Sequence, residues 1–123
     1  MKYLILIHSN PKSRAVWETL TDEQRHAFGK GHMELSAALA ESGELVVSEG
    51  LVDPSLAKWV SVRDDRTLTS DGPFAEAKEH LAGFYLVECE SYERAVEIAA
   101  RAPDALYGAV EVRPVLDMST WDL

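Results

Sequence analysis

Two stretches of the chain are apolar on both faces of a predicted β-strand. They are residues 2–8 (KYLILIH) and residues 81–89 (LAGFYLVEC). Successive side chains of a strand point to opposite faces, so neither stretch leaves a polar face for solvent. Such strands are typical of a sheet that is covered on both sides. The pattern therefore predicts two strands buried on both faces.

Two helices are predicted from capping residues and apolar periodicity. A capping box that starts at Thr21 opens a helix that is predicted to end at about residue 42, where Gly43 stops it. Ser91 caps a second helix over residues 92–102. Its inward side chains are predicted to be Ala95, Val96, Ala99 and Ala102.

The remaining segments complete the order of elements. An apolar patch predicts one helical turn at residues 17–20, and further strands are predicted at residues 44–51, 58–63, 67–69 and 108–115. The strands at 58–63 and 67–69 form a hairpin. With this hairpin treated as an addition, the order is strand, helix, strand, strand, helix, strand. That order is the ferredoxin-like βαββαβ pattern, so the fold class is predicted to be α+β.

The apolar faces of the predicted sheet outnumber the faces that the two helices can cover, which predicts that the protein assembles with a second copy. Two helices can cover only one face of a four- or five-stranded sheet. The strands at residues 2–8 and 81–89 are nevertheless apolar on both faces. Exposure of the second face would leave a larger apolar patch than soluble monomers usually show. A homodimer with two-fold symmetry, in which a partner sheet covers that face, is therefore expected.

The composition is that of one ordinary globular domain. The 123 residues, 46% hydrophobic and 27% charged, fit a single domain over residues 1–123, with a tail at 116–123 that lacks periodicity. The net charge of −9 repels phosphate backbones, so direct nucleic-acid binding is not expected. The single Cys89 allows no internal disulfide and indicates a buried thiol in a reducing compartment. The N-terminal apolar run is too short for a signal peptide or a membrane span, so a cytoplasmic protein without membrane contact is predicted.

Ionisable side chains are concentrated at residues 71–81, where a turn leads into the strand at residues 81–89. The turn is predicted because Gly72 tolerates a positive φ and Pro73 restricts φ. The ionisable side chains of the segment are Asp71, Glu76, Lys78, Glu79 and His80. A mixed-sign cluster at the end of a buried strand is a candidate binding site. The alternative is a solvated loop with surface ion pairs.

His32 is the candidate for acid–base chemistry. It lies in the apolar stripe of the first long helix, four residues after Phe28. Gly29 and Gly31 weaken this helix, which suggests a bend or a close approach just before His32. An imidazole oriented by a carboxylate can transfer a proton near neutral pH. The alternative is a core histidine that donates to a backbone carbonyl.

Asp71, if it lies near His32, would hold the tautomer of the imidazole and stabilise its charged form; the alternative for Asp71 is a turn cap. Lys78 and Glu79 are candidates for binding an anionic substrate and supporting proton transfer, or for exposed ion pairs. His8 and Arg66 are candidates for the rim of the same site.

Metal ligands and a phosphate-binding glycine loop are not predicted, because the chain has no His-x-x-x-His pair, no Cys pair and no glycine motif after a strand. No cofactor is predicted.

The segment at residues 71–85 (DGPFAEAKEHLAGFY) resembles the signature of the YCII-related family, in the branch called the DGPF domain. The similarity extends to residues 1–4 (MKYL) and 108–115 (GAVEVRPV). It covers nearly the whole chain, and a motif of this length is specific. The resemblance implies a ferredoxin-like α+β fold that pairs as a dimeric α/β barrel.

The resemblance also implies a site. Relatives in the broader family resemble cofactor-free acid–base enzymes, with a dehydrochlorinase among them, built around a His on the first helix and an Asp. His32 matches that His. The broader family places an Asp-Pro pair after the second helix, whereas this chain has Pro103 before Asp104. Asp71 is therefore the preferred partner of His32, and Asp104 is the alternative.

Two functions follow from these observations. The first is a small dimeric enzyme with lyase-like or dehydrochlorinase-like proton transfer on a small polar molecule. The second is a non-catalytic ligand-binding or regulatory module, because members of the DGPF branch occur beside, or fused to, alternative sigma factors. A catalytic His32 predicts loss of turnover with an intact fold when it is replaced. A structural His32 predicts a loss of stability of roughly 1–3 kcal/mol.

Overall fold

The computed structural model describes residues 1–73 and 78–120. The strands are β1 (Lys2–Ser9), β2 (Leu45–Gly50), β3 (Lys58–Arg63), β4 (Arg66–Asp71), β5 (His80–Glu88) and β6 (Val110–Pro114). The helices are α1 (Pro11–Thr19), α2 (Asp22–Ser42) and α3 (Tyr92–Ala100), with short 3-10 turns at Pro54–Leu56, Pro103–Tyr107 and Met118–Thr120. The mixed α+β class is confirmed.

Four strands form an antiparallel sheet in the order β2-β5-β1-β6. Strand β1 is central because Leu6 lies opposite Phe84 of β5 on one side and opposite Glu111 of β6 on the other. Strand β5 is also internal, between β1 and β2. These are the two strands whose apolar runs predicted burial on both faces. The connectivity and strand order are those of the split β-α-β arrangement.

The long helix begins and ends at its predicted capping residues. The backbone N–H of Gln24 donates to Oγ1 of Thr21 at 3.1 Å, and Gln24 Oε1 accepts from the N–H of Thr21 at 2.8 Å. Gly43 ends α2 in the left-handed conformation, with a φ of 83°. The preceding helix α1 is longer than the single turn predicted there. A second capping box, formed by Asn10 and Ser13, starts it earlier.

The core lies between one face of the sheet and the helices α2 and α3. Its buried side chains are Tyr3, Ile5, Ile7, Leu35, Leu39, Tyr85, Val87, Cys89, Ala95, Ile98, Ala99 and Ala102. The predicted inward face of α3 was wrong at Val96, which is 50% exposed, whereas Ile98 is buried. The buried positions after Ala95 follow at spacings of three, four and seven residues, and Val96 falls outside that stripe.

The predicted hairpin is present and forms a two-stranded sheet of its own, which we call the arm (residues 58–71). Its turn has Asp64 and Asp65 at φ values of 52° and 62°. Two-residue hairpin turns need such positive φ values, and Asp is one of the residues that tolerate them. Every residue of β3 and β4 is exposed. The arm therefore contributes nothing to the core of its own chain.

In the part of the chain that the structure describes, no helix combines the length and the apolar character that a bilayer crossing needs.

Candidate functional site

Three elements that are distant in sequence bring together His32, Tyr85 and Asp104. Helix α2 supplies His32, strand β5 supplies Tyr85, and the 3-10 turn at Pro103–Tyr107 supplies Asp104. Nε2 of His32 lies 2.5 Å from Oδ1 of Asp104. Nδ1 of His32 lies 2.6 Å from the hydroxyl oxygen of Tyr85. Both ring nitrogens of this histidine therefore have polar partners.

A glycine in α2 allows the turn that carries Asp104 to reach the helix. A Cβ atom added at Gly31 would lie 2.9 Å from Cγ of Pro103, closer than real Cβ contacts occur. Gly31 precedes His32, and Pro103 precedes Asp104. The missing side chain at Gly31 thus sets the approach of the two backbones that position this pair. The close approach that was inferred from the glycines before His32 is present at Gly31, whereas a Cβ at Gly29 would meet nothing within 4 Å.

An aromatic ring forms the wall next to the imidazole. The ring of Phe28 lies edge-on to His32, with centroids 5.5 Å apart, and edge-on to Trp17 at 5.5 Å. Tyr107 is stacked on the other side of Phe28 at 6.4 Å. These contacts restrict the rotamers of Phe28 and give the site an apolar, flat boundary.

The pair of His32 and Asp104 opens into a cavity of about 580 Å³. The cavity is lined by Ile7, Phe28, His32, Met33, Ser36, Ser48, Glu49, Gly50, Ala82, Gly83, Phe84, Tyr85 and Asp104. A second cavity of about 630 Å³ shares Phe28, Ala82 and Asp104 with the first. A concave site with apolar walls and a few convergent polar groups is the usual form of a small-molecule site.

The polar groups of the site are partly shielded from water. The side chain of His32 is 26% exposed and that of Asp104 is 13% exposed. Burial raises the pKa of the Tyr85 phenol, and the negative charge of Asp104 acts in the same direction, whereas the Ser36 side chain opposes them. Tyr85 is therefore protonated near neutral pH and has a proton to donate. The hydroxyls of Ser36 and Ser48 share a hydrogen bond of 3.0 Å within the same cavity.

Asp71 does not contact His32, and the prediction that it holds that imidazole is wrong. Its side chain is 80% exposed and lies at the end of β4, where it accepts from Nζ of Lys58 at 2.7 Å. The alternative carboxylate, Asp104, occupies the position next to His32. Asp71 belongs to the exposed arm, so its place at the start of the signature did not bring it to the site.

The other predicted binding residues do not line the first cavity. His8 lines the second cavity and contacts Glu111 at 2.9 Å. Glu79 lines a third cavity, beside the arm. Lys78 is exposed and accepts from Arg14 through its backbone carbonyl at 3.0 Å. Arg66 is exposed on the arm, opposite Arg63. Their roles in binding remain predictions, and residues 74–77 of the signature, including Glu76, lie outside the described residues.

Tyr85 is a residue of the site that the sequence analysis did not find. Its position in the apolar strand at residues 81–89 indicated a core residue. It is indeed buried, but its hydroxyl ends at His32. The sequence signal for Asp104 was Gly31, the glycine next to His32. A glycine at that position suggests that another segment of the chain packs closely against the helix, and that segment carries Asp104. Within residues 1–73 and 78–120, no group of three or more His, Cys, Asp or Glu side chains is arranged to hold a metal ion.

The fold and the site define a small α+β protein with a histidine–carboxylate pair in a cavity at the edge of its helical layer. The sequence model of the YCII-related domain matches residues 1–119, and the chain belongs to that family. An uncharacterized protein of Rhizobium meliloti (strain 1021) is 32% identical over 120 residues, which cover 94% of this chain and 92% of the relative. The resemblance to the YCII-related family is thereby confirmed.

A solved structure with a similar fold is that of a 5-chloro-2-hydroxyhydroquinone dehydrochlorinase from Burkholderia phenoliruptrix AC1100. It was determined in complex with 2,5-dihydroxybenzoquinone. The similarity covers 99% of this chain and 100% of the other, with a TM-score of 0.53 and 17% sequence identity. At this identity the comparison shows a shared fold.

Proposed function

We propose that this protein is a cofactor-free acid–base enzyme for a small hydroxylated molecule, and that His32 and Asp104 form its proton-transferring pair. The observation that carries the proposal is the 2.5 Å contact between Nε2 of His32 and Oδ1 of Asp104 at the wall of a cavity of about 580 Å³. A carboxylate beside an imidazole fixes its tautomer and stabilises its charged form. The pair can therefore accept a proton and return it.

The walls of the cavity support a flat ligand with polar substituents. Phe28 offers an aromatic ring, while Ser36 and Ser48 offer hydroxyl groups. The protein of similar fold was solved with a hydroxylated quinone, which has this shape and polarity. We therefore infer that the ligand is a small hydroxylated ring, such as a phenol or a hydroxyquinone.

The reaction needs only a proton transfer. The pair takes a proton from a hydroxyl or an acidic C–H of the ligand, and the electrons of that bond stay on the ligand. If a substituent such as chloride then leaves with an electron pair, the net change is the loss of one acid molecule. No oxidant or reductant is needed. General acid–base catalysis of this kind contributes about 10²–10⁴-fold to a rate.

The test is an NMR titration of the four histidines with a set of phenols and hydroxyquinones that includes 2,5-dihydroxybenzoquinone. At least one compound is expected to shift the His32 resonances and to be converted by the protein. Asp104→Asn should lower the rate of conversion by about 10²–10⁴-fold. Asp71→Asn is the matched control, because the same substitution is made at the carboxylate that lies on the arm.

Two results would contradict this proposal. If no compound shifts the His32 resonances, the assignment of the cavity as the site fails. If a compound binds equally to the wild type and to Asp104→Asn and is recovered unchanged, the non-catalytic binding or regulatory module is the better description. The absence of direct nucleic-acid binding and the cytoplasmic location stay predictions from the sequence.

We also propose that the protein works as a homodimer in which partner sheets form an α/β barrel. The sheet face opposite α2 and α3 carries the half-buried apolar side chains of Leu4, Phe84 and Leu86. On the arm, Val60 and Val62 are 62% and 69% exposed. Every residue of the arm is exposed in the single chain, and an isolated two-stranded hairpin is marginally stable in water, so the arm is expected to rest on a second copy.

The assembly is tested by light scattering after size-exclusion chromatography. The wild type is expected to elute as a dimer. Val62→Lys on the arm should weaken the dimer by at least about tenfold in Kd, because it places a charge in an apolar contact. Val96→Lys, at a half-exposed position of α3, is the control and should leave the dimer intact. A monomeric wild type would refute the assembly without affecting the proposed chemistry.

A further inference from the structure

His32 has no ring nitrogen available to a ligand. Nε2 is in contact with Asp104 at 2.5 Å, and Nδ1 is in contact with the hydroxyl of Tyr85 at 2.6 Å. An imidazole has two nitrogens and no other group that exchanges protons. A ligand in the cavity could reach either nitrogen only by displacing a partner. The histidine is thus poorly placed to act on a ligand directly.

The hydrogen-bond pattern assigns the protons of the cluster. The carboxylate of Asp104 can only accept, so Nε2–H of His32 donates to its Oδ1. The lone pair of a neutral ring is then on Nδ1 and accepts from the O–H of Tyr85. The same hydroxyl lies 3.3 Å from the backbone carbonyl oxygen of His32, to which it can donate when Nδ1 carries a proton. Tyr85 therefore remains a partner of Nδ1 in both charge states of the ring.

One carboxylate oxygen of Asp104 is available to a ligand. Its Oδ1 accepts from His32, and within the described residues its Oδ2 has no hydrogen-bond partner. No fully buried side-chain oxygen or nitrogen of the described residues lacks a partner, so Oδ2 must be accessible. The accessible space next to Asp104 is that of the two cavities, both of which it lines. Oδ2 is the part of the cluster that a ligand can reach without breaking a contact.

We propose that Oδ2 of Asp104 is the atom that exchanges a proton with the ligand, and that Tyr85 is a positioning residue that holds His32 behind it. In this step Oδ2 takes a proton from an O–H or C–H of the ligand, and the ligand keeps the bonding electrons. Oδ1 continues to accept from Nε2–H of His32. The role of the imidazole is to anchor the carboxylate. This inference rests on the proposed function, and it specifies which atom acts.

Chemical modification of the ligand-free wild-type protein tests which atoms are accessible. Diethyl pyrocarbonate acylates an imidazole nitrogen with an available lone pair. The internal control is His26, which is exposed on the same helix. His32 is expected to react about tenfold more slowly than His26, because its lone pair is occupied by Tyr85. Equal rates would overturn the proposal.

Tyr85→Phe removes the hydroxyl and keeps the ring. His32 should then be acylated several-fold faster, and the ¹⁵N shifts of its ring should lose the pattern of an Nε2–H tautomer with a bonded Nδ1. A merely structural role for Tyr85 predicts a lower melting temperature with the tautomer unchanged, and that result would overturn the positioning role. Should the variant fold poorly, the ¹⁵N shifts of the wild type decide the tautomer by themselves.

Carbodiimide coupling to a small amine tests Oδ2. The matched control is Glu44, whose side chain is 17% exposed against 13% for Asp104, but whose two oxygens both accept from Arg94. Asp104 is expected to couple several-fold faster than Glu44. Coupling as slow as that of Glu44 would refute an accessible Oδ2. These measurements need no ligand, so they can fail or succeed independently of the search for a compound that binds.

Discussion

The molecule contains two histidine–carboxylate contacts that look alike in isolation. In the first, Nε2 of His32 lies 2.5 Å from Asp104, and in the second, Nε2 of His8 lies 2.9 Å from Glu111. The exposed fractions of the histidine side chains are also similar, at 26% and 22%. The surroundings differ. The first pair joins a helix to a 3-10 turn across a cavity wall, whereas the second joins the neighbouring strands β1 and β6.

The difference between the two pairs lies in the second carboxylate oxygen. Oε2 of Glu111 accepts from Nε of Arg113 at 2.9 Å and from its Nη2 at 2.5 Å. His8 and Arg113 both hold the pKa of Glu111 below its ordinary value. Among the described residues no cation contacts the second oxygen of Asp104, and that oxygen stays accessible. A histidine–carboxylate contact is therefore not a site by itself, because a reactive group also needs an oxygen that no partner of its own chain occupies.

The largest effect that separates the two pairs is expected from removing each carboxylate charge. Asp104→Asn should lower turnover by about 10²–10⁴-fold, the usual contribution of a general acid–base group. Glu111→Gln should stay within about twofold, since its charge serves a surface ion pair. Steady-state kinetics on the compound found by titration measures both variants. Equal losses would mean that both pairs belong to one site.

A second effect is expected at the helix backbone. Gly31→Ala places a methyl group 2.9 Å from the ring of Pro103 and should push the turn that carries Asp104 away from α2. We expect a loss of stability of roughly 1–3 kcal/mol, as for overpacked sites, together with changed His32 resonances. Chemical denaturation and NMR measure the two consequences.

Gly29→Ala is the matched control for this change, two residues earlier in the same helix. An added Cβ meets nothing within 4 Å there, so the helix propensity of Ala should stabilise the protein by up to about 1 kcal/mol. If Gly31→Ala stabilised the protein to the same degree with unchanged His32 resonances, the close approach to Pro103 would be without consequence.

A smaller effect, on the pH dependence of stability, is expected at Glu44. Unlike Asp104, this carboxylate has both of its oxygens occupied by partners of its own chain. Arg94 binds both of its oxygens, and this pairing, with Ser42, lowers the pKa of Glu44 from 4.5 to about 2. Because the folded-state pKa is below the unfolded one, the stabilisation is present above pH 4.5 and is lost as the pH falls toward 2. For this partly exposed pair the loss should be on the order of 1 kcal/mol.

Glu44→Gln should remove that pH dependence. Denaturant unfolding of the wild type and of the variant between pH 6 and about pH 2.5 measures the difference. The two stabilities should approach each other as the pH falls toward the folded pKa of about 2, because the wild-type carboxyl progressively loses its charge. A constant gap at every pH would show that Glu44 contributes by packing rather than by charge.

The smallest effect is expected at the strand pair. His8→Gln keeps a hydrogen-bonding side chain opposite Glu111, which retains Arg113. The change in stability should be within about 0.5 kcal/mol, as for most exposed ion pairs. Any contribution from Glu111 is present above its unfolded pKa and is lost as the pH falls, because its pKa is lowered in the folded state. A loss comparable to that of Gly31→Ala would contradict the contrast between the two pairs.

Most of the fold could be read from local patterns. The capping box at Thr21, the stop at Gly43 and the cap at Ser91 set the limits of α2 and the start of α3 within a residue or two. Hydrogen bonds at helix ends depend on neighbours three residues apart, so the sequence contains them directly. The start of α1 was missed because its capping residues, Asn10 and Ser13, lie before the apolar patch at residues 17–20 from which the helical turn was predicted.

The candidate site could be predicted only in part. His32 was found because its position in an apolar stripe, after two glycines, is a local feature. Its carboxylate partner was assigned to Asp71, since that residue opens the most specific motif of the chain. The actual partner, Asp104, lies 72 residues away from His32. Nothing in the local pattern distinguishes the two carboxylates, because each lies next to a turn-forming residue, Asp71 before Gly72 and Asp104 after Pro103.

The sequence by itself determined the order of elements, the two central strands and the family. Helix caps, apolar periodicity and a long motif depend only on residues that are close together in the chain. The tertiary structure decided which polar groups meet. Packing of α2 against β5 brought the Tyr85 hydroxyl to one nitrogen of His32, and the close contact of Gly31 with Pro103 brought Asp104 to the other. Such contacts depend on the sum of many distant packing interactions, so they exist only once the chain is folded.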